Sequence, residues 1–129
     1  MNHYFGNIEK DTLDNSNFRK VLYTGTYMQL VVMCLKPTEE IGQEVHDTVD
    51  QFFRVEQGTA NFIIDGQVTT VSEDQVIIVP AHAQHNVVNV GEVDLKLYTI
   101  YSPPNHPENT VHVTKADADL AEAEEHGQS

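Results

Sequence analysis

Four side chains that can ligate a metal ion lie close together in the middle of the chain: Glu44, His46, Gln51 and, after two predicted hairpin strands, His85. Residues two apart on a strand point to the same side, so Glu44 and His46 are expected to share a face. One carboxylate, one amide and two imidazoles suit a borderline divalent ion such as Mn, Fe, Co, Ni or Zn. These residues therefore predict one mononuclear metal site, with positions left for water or substrate, if the fold brings them together.

The segments that must position these side chains are typical of β-strands. Short apolar or alternating runs, separated by turn residues, occupy 21–24, 28–35, 51–56, 60–64, 67–71, 76–79, 85–90 and 95–101. Asp65 and Gly66 tolerate positive φ and predict a tight hairpin between two of these strands. Many short strands at this spacing predict an all-β sandwich or barrel rather than alternating strands and helices.

The two ends of the chain differ from this central pattern. We expect residues 1–20 to form an N-terminal arm, 21–113 the barrel, and 114–129 an acidic tail that is a short helix or disordered, with Thr114 as N-cap. The segment 102–109 contains three prolines and is expected to form a loop or arm. His106 and His112 belong to this region and are expected to face solvent.

Charge and cysteine content limit the classes of function. Seven Lys plus Arg stand against twenty Asp plus Glu, a formal charge of −13, which disfavours binding to nucleic acid or to a membrane surface. The single cysteine, Cys34, lies in an apolar run and is expected to be a buried, unreactive thiol. Without a disulfide framework or a signal-peptide pattern, a cytoplasmic location is expected.

The first group of candidate ligands resembles a motif of the cupin family, usually written G-x5-H-x-H-x3,4-E-x6-G. The corresponding stretch here is Glu44-x-His46-x4-Gln51-x6-Gly58, and Thr38 stands where the motif opens with glycine. Glu44 therefore replaces the first histidine, and Gln51 replaces the usual glutamate. One carboxylate remains in the set, at a different position.

The second group resembles the other cupin motif, G-x5-P-x-G-x2-H-x3-N. It reads Asp74-x5-Pro80-x-His82-x2-His85-x3-Asn89, so that Asp74 and His82 replace two glycines. We interpret His82 as a surface turn residue and Asn89 as a structural residue. The two motifs together are more specific than either alone.

The resemblance, which covers roughly residues 20–101, implies a small single-domain cupin. The implied fold is a double-stranded β-helix, also called a jelly-roll barrel, and the implied ligand set is Glu44, His46, Gln51 and His85. Phosphomannose isomerases, which are also cupins, use the same residue types in another order. The chain looks similar to small bacterial cupins labelled mannose-6-phosphate-isomerase-like.

A homodimer is also implied by this resemblance. The N-terminal segment 4–23 has scattered aromatic residues and no obvious place inside an eight-stranded barrel. We therefore expect it to pair with the sheet edge of a partner subunit and to protect that edge.

The leading functional hypothesis is an enzyme that isomerises or epimerises a small polar metabolite, most plausibly a sugar or sugar acid. Glu44 is the candidate base only if it does not ligate the metal. The alternatives are an Fe(II)-dependent dioxygenase and a non-catalytic module that binds a metal or small molecule. Between residues 22 and 101 the only cations are Lys36, Arg54 and Lys96, and strand alternation predicts that the last two point outwards, so a phosphorylated substrate is disfavoured.

Overall fold

The described part of the chain, residues 2–126 of a computed structural model, consists of ten β-strands and two α-helices. The elements are, in chain order, α1 (Ile8–Leu13), β1 (Arg19–Thr24), β2 (Gln29–Leu35), β3 (Glu44–Val45), β4 (Asp50–Gln57), β5 (Ala60–Ile64), β6 (Gln67–Val71), β7 (Val76–Val79), β8 (Gln84–Asn89), β9 (Leu95–Ser102), β10 (Val111–His112) and α2 (Lys115–His126).

Two antiparallel sheets face each other. The six-stranded sheet has the order β10-β1-β2-β9-β4-β7 and the four-stranded sheet the order β3-β8-β5-β6. Alternate residues of β4 and β5 point inwards, and the two sheets meet where the rings of Phe53 and Phe62 pack edge to face with centroids 4.9 Å apart. This architecture confirms the predicted all-β jelly-roll fold.

The N-terminal segment contains a short helix that contacts the barrel of its own chain. Asn7 caps α1 by accepting a hydrogen bond from the Lys10 N–H, and Thr12 is completely buried. The ammonium of Lys96 on β9 donates to the carbonyl of Leu13 at 2.6 Å. The helix thus packs on the outer face of its own six-stranded sheet. This agrees with the expectation that the segment has no place inside the barrel, and pairing with a partner subunit stays a prediction.

Strand pairing begins two residues before the predicted start of the barrel and includes a short strand near its predicted end. Arg19 and Lys20, which the sequence assigns to the arm, belong to β1, where Arg19 pairs with His112 of β10 and with Met33 of β2. The two-residue strand β10 lies in a region that the sequence predicts only as a loop or arm. This pairing brings the chain back to the barrel just before α2.

The acidic tail forms the helix α2 over its described part, and residues 127–129 lie outside the described residues. The backbone N–H of Asp117 donates to the hydroxyl of Thr114 at 3.1 Å, which agrees with the predicted N-cap. Ala118 is only 4% exposed and joins the hydrophobic core, so the helix is packed rather than merely lying on the surface. Neither helix in residues 2–126 is long and apolar enough to cross a membrane.

The backbone keeps the conformation of the cupin motifs where the sequence departs from them. Thr38, Asp74 and His82 stand at glycine positions of the motifs, and their φ angles are 74°, 67° and 74°. These values lie in the left-handed region that favours glycine. Gly58, which matches its motif, has a φ of 92°. The local turns are therefore retained although three of the glycines are not.

Candidate functional site

The predicted ligands lie on strands of both sheets. Glu44 on β3 is the direct cross-strand neighbour of His85 on β8 in the four-stranded sheet. Gln51 on β4 is the neighbour of Tyr101 on β9 in the six-stranded sheet. Since the inner faces of the two sheets oppose each other, one end of the barrel holds all of these side chains.

His46, which follows β3, lies at the centre of the group. Its Nε2 atom is 3.4 Å from a carboxylate oxygen of Glu44. Its ring centroid is 5.4 Å from that of His85 and 6.1 Å from that of Tyr101. His46 therefore links the Glu44–His85 pair of one sheet to Tyr101, and through it to Gln51, of the other.

Two buried polar atoms of this group lack a hydrogen-bond partner: His46 Nε2 and Gln51 Oε1. The amide nitrogen of Gln51 donates to the hydroxyl of Thr99 at 2.9 Å, which leaves its oxygen as the free acceptor. Buried acceptors are nearly always satisfied by protein, water or an ion. Both atoms are thus available to a ligand.

Burial sets the charge states in this group. It lowers the pKa of His46 and of His85 from the usual value, so both imidazoles stay neutral, as metal ligation requires. Burial also raises the pKa of Glu44, while the positive charge of Arg19 acts in the opposite direction. Glu44 is therefore a carboxyl group that holds a proton more readily than one in water.

The donors suit a divalent metal in type, but their side chains do not form a finished coordination shell. Among the described side chains, those of residues 2–124, no three His, Cys, Asp or Glu converge closely enough to hold an ion. Glu44 and His46 are close, whereas the Nδ1 atom of His85 is 3.2 Å from the carbonyl oxygen of Ala83. The structure thus brings the predicted residues to one end of the barrel, with His46 and Glu44 as the closest pair.

A polar cavity of about 360 Å³ opens beside His46. Strands, the loop before β10 and helix α2 all contribute to its wall, which is lined by Arg19, Gln43, Glu44, Val45, His46, Asn105, His106, His112, Ala118 and Glu122. The expectation that His106 and His112 face solvent is wrong, because the loop 103–110 folds over this end of the barrel. Its carbonyl and amide groups at His106 bind the buried side chain of Gln29.

Arg19 is a candidate site residue that the sequence analysis missed. It is 7% exposed and lines the cavity, so it adds a cation to those considered from the sequence, which were Lys36, Arg54 and Lys96. The signal was present: Arg19 alternates with buried Val21 across exposed Lys20, which places it on the inner face. Arg54 and Lys96 lie outside, as predicted; Arg54 pairs with Glu56 and Asp74, and Lys96 contacts α1.

Tyr101 and His106 form a second polar pair at the cavity. The hydroxyl of Tyr101 is 3.2 Å from Nε2 of His106, and the rings meet edge to face. Burial raises the pKa of Tyr101 to about 12, so its hydroxyl stays protonated. Burial, helped by the charge of Arg19, lowers the pKa of His106 to about 3. Tyr101 thus presents a hydroxyl to His106 beside the cavity.

Three further residues behave as the sequence predicts. His82 lies on the surface with its side chain 78% exposed. Asn89 is buried, and its side chain hydrogen-bonds the carbonyls of Leu35 and Val93 and the N–H of Gly91, which is a structural role. Cys34 is buried, and burial raises the pKa of its thiol to about 11.

Comparisons with known proteins agree with this architecture. The family model described as Cupin domain matches residues 31–101. Uncharacterized protein YrkC of Bacillus subtilis is 47% identical over 122 residues, which cover 90% of this chain and 66% of the relative. Uncharacterized protein L612 of Acanthamoeba polyphaga mimivirus is 40% identical, with 87% of this chain and 72% of the relative covered. The chain thus spans slightly less than two thirds of the Bacillus subtilis relative.

A solved structure is similar over nearly the whole fold. The crystal structure of BH2720 from Bacillus halodurans superposes with a TM-score of 0.89 at 41% identity and covers 91% of this chain and 93% of that one. The similarity therefore extends to residues outside the stretch that the family model matches.

Proposed function

The chain belongs to the cupin family, and we propose that it binds one divalent transition metal ion and isomerises or epimerises a small sugar or sugar acid. Glu44, His46, Gln51 and His85 are the proposed ligands. The ion is one of Mn, Fe, Co, Ni or Zn, the group that accepts this mixture of nitrogen and oxygen donors.

The observation that carries the proposal is the pair of buried polar atoms without a hydrogen-bond partner, His46 Nε2 and Gln51 Oε1. Leaving such atoms without a partner costs about 1–3 kcal/mol each. A cation between the two sheets would satisfy both, and the Glu44 carboxylate 3.4 Å from His46 would supply negative charge. Neutral His46 and His85 are in the protonation state that this role needs.

When bound, the metal would supply Lewis-acid polarisation of a substrate carbonyl. The protein's own groups account for substrate orientation and for proton movement. Glu44 has a raised pKa and lines the cavity, so it can take a proton from a carbon next to that carbonyl and return it. The same carboxylate cannot be both a tight ligand and the base. If it ligates, the proton carrier is another group on the cavity wall, such as His112.

The choice of reaction class is supported by the resemblance of the segments 43–58 and 95–112 to small bacterial cupins labelled mannose-6-phosphate-isomerase-like. The cavity also suits a polar metabolite, since its wall carries an amide, carboxylates, imidazoles and one guanidinium. A sugar offers several hydroxyl groups, each of which can donate and accept hydrogen bonds with such a wall.

Elemental analysis of the purified protein tests the metal site. We expect about one equivalent of a transition metal in the wild type and its loss in His46→Ala and in His85→Ala, because each substitution removes a nitrogen donor. His82→Ala is the matched control, since that imidazole is exposed in a surface turn. Metal retained in both site variants would refute the proposed ligand set.

Turnover assays on the metal-loaded protein test the reaction. We expect interconversion of ketose and aldose forms, or of epimers, among uronates and hexoses. Turnover that requires iron and oxygen would favour a dioxygenase instead. A metabolite that raises the melting temperature without being consumed would favour a binding module.

A further inference from the structure

We propose that Arg19 is the binding residue for a carboxylate group, so that the ligand of the cavity is a small monoanionic carboxylate such as a sugar acid rather than a neutral or phosphorylated sugar. This inference rests on the proposed function for the location of the ligand, but it concerns recognition and not turnover.

The position of Arg19 within the sheet fixes its guanidinium at the cavity. Its strand, β1, lies between β10 and β2, and its backbone pairs with His112 and Met33. The residue is only 7% exposed and yet lines the cavity. A guanidinium that has lost most of its water needs anionic or polar partners in return.

The protein satisfies only part of this need. One terminal nitrogen of Arg19 lies 3.2 Å from Nδ1 of His112, and the guanidinium carbon lies 5.3 Å from the centroid of the Phe18 ring. These contacts hold the planar group in place. Its Nε atom is buried without a hydrogen-bond partner, and no carboxylate among the described side chains of residues 2–124 forms an ion pair with it. The Arg19 side chain also hydrogen-bonds to the hydroxyl of Tyr101, which is a neutral partner. A fixed guanidinium with an unpaired Nε donor and no anionic partner matches a carboxylate ligand.

The charges around the cavity favour a monoanion. Arg19 is the one Arg or Lys among the described residues that line it, whereas Glu44 and Glu122 contribute carboxylates. The ammonium of Lys115, which lies 5.8 Å from the centroid of the Phe18 ring, is paired with Asp119 on its own helix. His106 stays neutral beside Arg19. A phosphate dianion would therefore bring more negative charge than the single guanidinium can balance.

Binding measurements with matched sugars test the inference. The probes are D-galacturonate and D-glucuronate, their neutral parents D-galactose and D-glucose, and the 6-phosphates of those parents. Calorimetric titration is performed on the protein as purified and again with chelator present, because a bound metal would itself attract carboxylates. In both states we expect the uronates to bind more tightly than the neutral sugars and the phosphates.

Substitutions assign this preference to Arg19. In Arg19→Gln, we expect uronate affinity to fall about tenfold or more while the weak binding of neutral sugars is unchanged, because a charge-assisted pair of hydrogen bonds is lost. Arg54→Gln, on the outer face of the same sheet, should match the wild type. If Arg19→Gln fails to fold, Arg19→Lys replaces it as the test variant. The ammonium of lysine keeps the positive charge but cannot make the two parallel hydrogen bonds, so we expect uronate binding to weaken severalfold.

The inference is overturned if uronates and neutral sugars bind equally, if the phosphates bind best, or if neither Arg19 variant changes uronate affinity. These outcomes are independent of turnover. A protein that binds uronates through Arg19 but converts none of the sugars would retain this inference and refute the proposed enzyme. If the protein converts neutral sugars and substitution of Arg19 leaves that turnover unchanged, the proposed enzyme is retained and this inference is refuted.

Discussion

The lowered pKa of His106 is expected to make the folding stability of the protein depend on pH in the acidic range. Burial and the nearby charge of Arg19 hold its pKa at about 3, against 6.5 in the unfolded chain. Above pH 6.5 His106 is neutral in both the folded and the unfolded state, so the difference between its two pKa values has no effect on stability. As the pH falls below 6.5, His106 binds a proton in the unfolded state but not in the folded state, so the free energy of unfolding decreases. We expect His106 alone to cost about 2 kcal/mol of folding stability at pH 5 relative to pH 7.5.

The measurement is urea unfolding of wild type and His106→Gln at these two pH values. The variant should lose less stability on acidification, by about 2 kcal/mol, although it starts lower if its amide replaces the bond to Tyr101 poorly. His82→Gln serves as the control because its imidazole is exposed. Equal acid sensitivity of the wild type and His106→Gln would mean that His106 is not held neutral.

For single residues, the sequence predicted which side chains share a strand face better than it predicted the full set of residues at the site. Spacing and strand alternation placed Glu44, His46 and His85 at one end of a barrel because those rules are local. The sequence did not assign Arg19 and His112 to the site, because they meet only through the pairing of β1 with β10, which joins residues 93 apart. The alternation of Arg19 with Val21 shows which face of β1 holds Arg19, but neither segment shows by itself that the two residues meet.

Among the elements, the loop that opens the first motif carries measurable strain. Thr38 is exposed and β-branched, and its φ of 74° is unfavourable for any residue with a Cβ. Replacing it with the glycine of the motif removes this strain, although a more flexible unfolded chain offsets part of the gain. We expect Thr38→Gly to raise the free energy of unfolding by about 0.5–1 kcal/mol.

Chemical denaturation measures this change, with Thr69→Gly on the exposed face of β6 as the matched control. There the backbone is a regular strand, so glycine should lower the stability by about 0.5–1 kcal/mol. A destabilised Thr38→Gly would show that the threonine side chain contributes more than its backbone conformation costs.

The elements that the sequence did not predict are those whose stability comes from tertiary contacts. A six-residue helix such as α1 is not stable by itself in water. It forms because Asn7 caps it, Thr12 is buried and Lys96 reaches the carbonyl of Leu13. In contrast, β5, β6 and β7 lie at their predicted bounds, because a strong turn or a β-branched run defines each of them locally.

For the whole molecule, we propose a homodimer formed through the outer face of the six-stranded sheet. Four apolar side chains lie side by side across this face: Leu30 on β2, Ile100 on β9, Phe52 on β4 and Ile78 on β7. Helix α1 covers the sheet nearer to Lys96 and leaves this row partly open, and Ile78 is 62% exposed. A contiguous apolar row on the surface is typical of an interaction site.

A charge in this row should disrupt the dimer. In Ile78→Lys, an ammonium would have to be buried without a partner, so we expect the dimer dissociation constant to rise at least about tenfold. Sedimentation velocity at micromolar concentration should then show a dimer for the wild type and a monomer for the variant. Val68→Lys is the matched control, because Val68 is also apolar and 60% exposed but lies on the other sheet. A monomeric wild type would refute the dimer, whereas a dimeric Ile78→Lys would move its interface to another face.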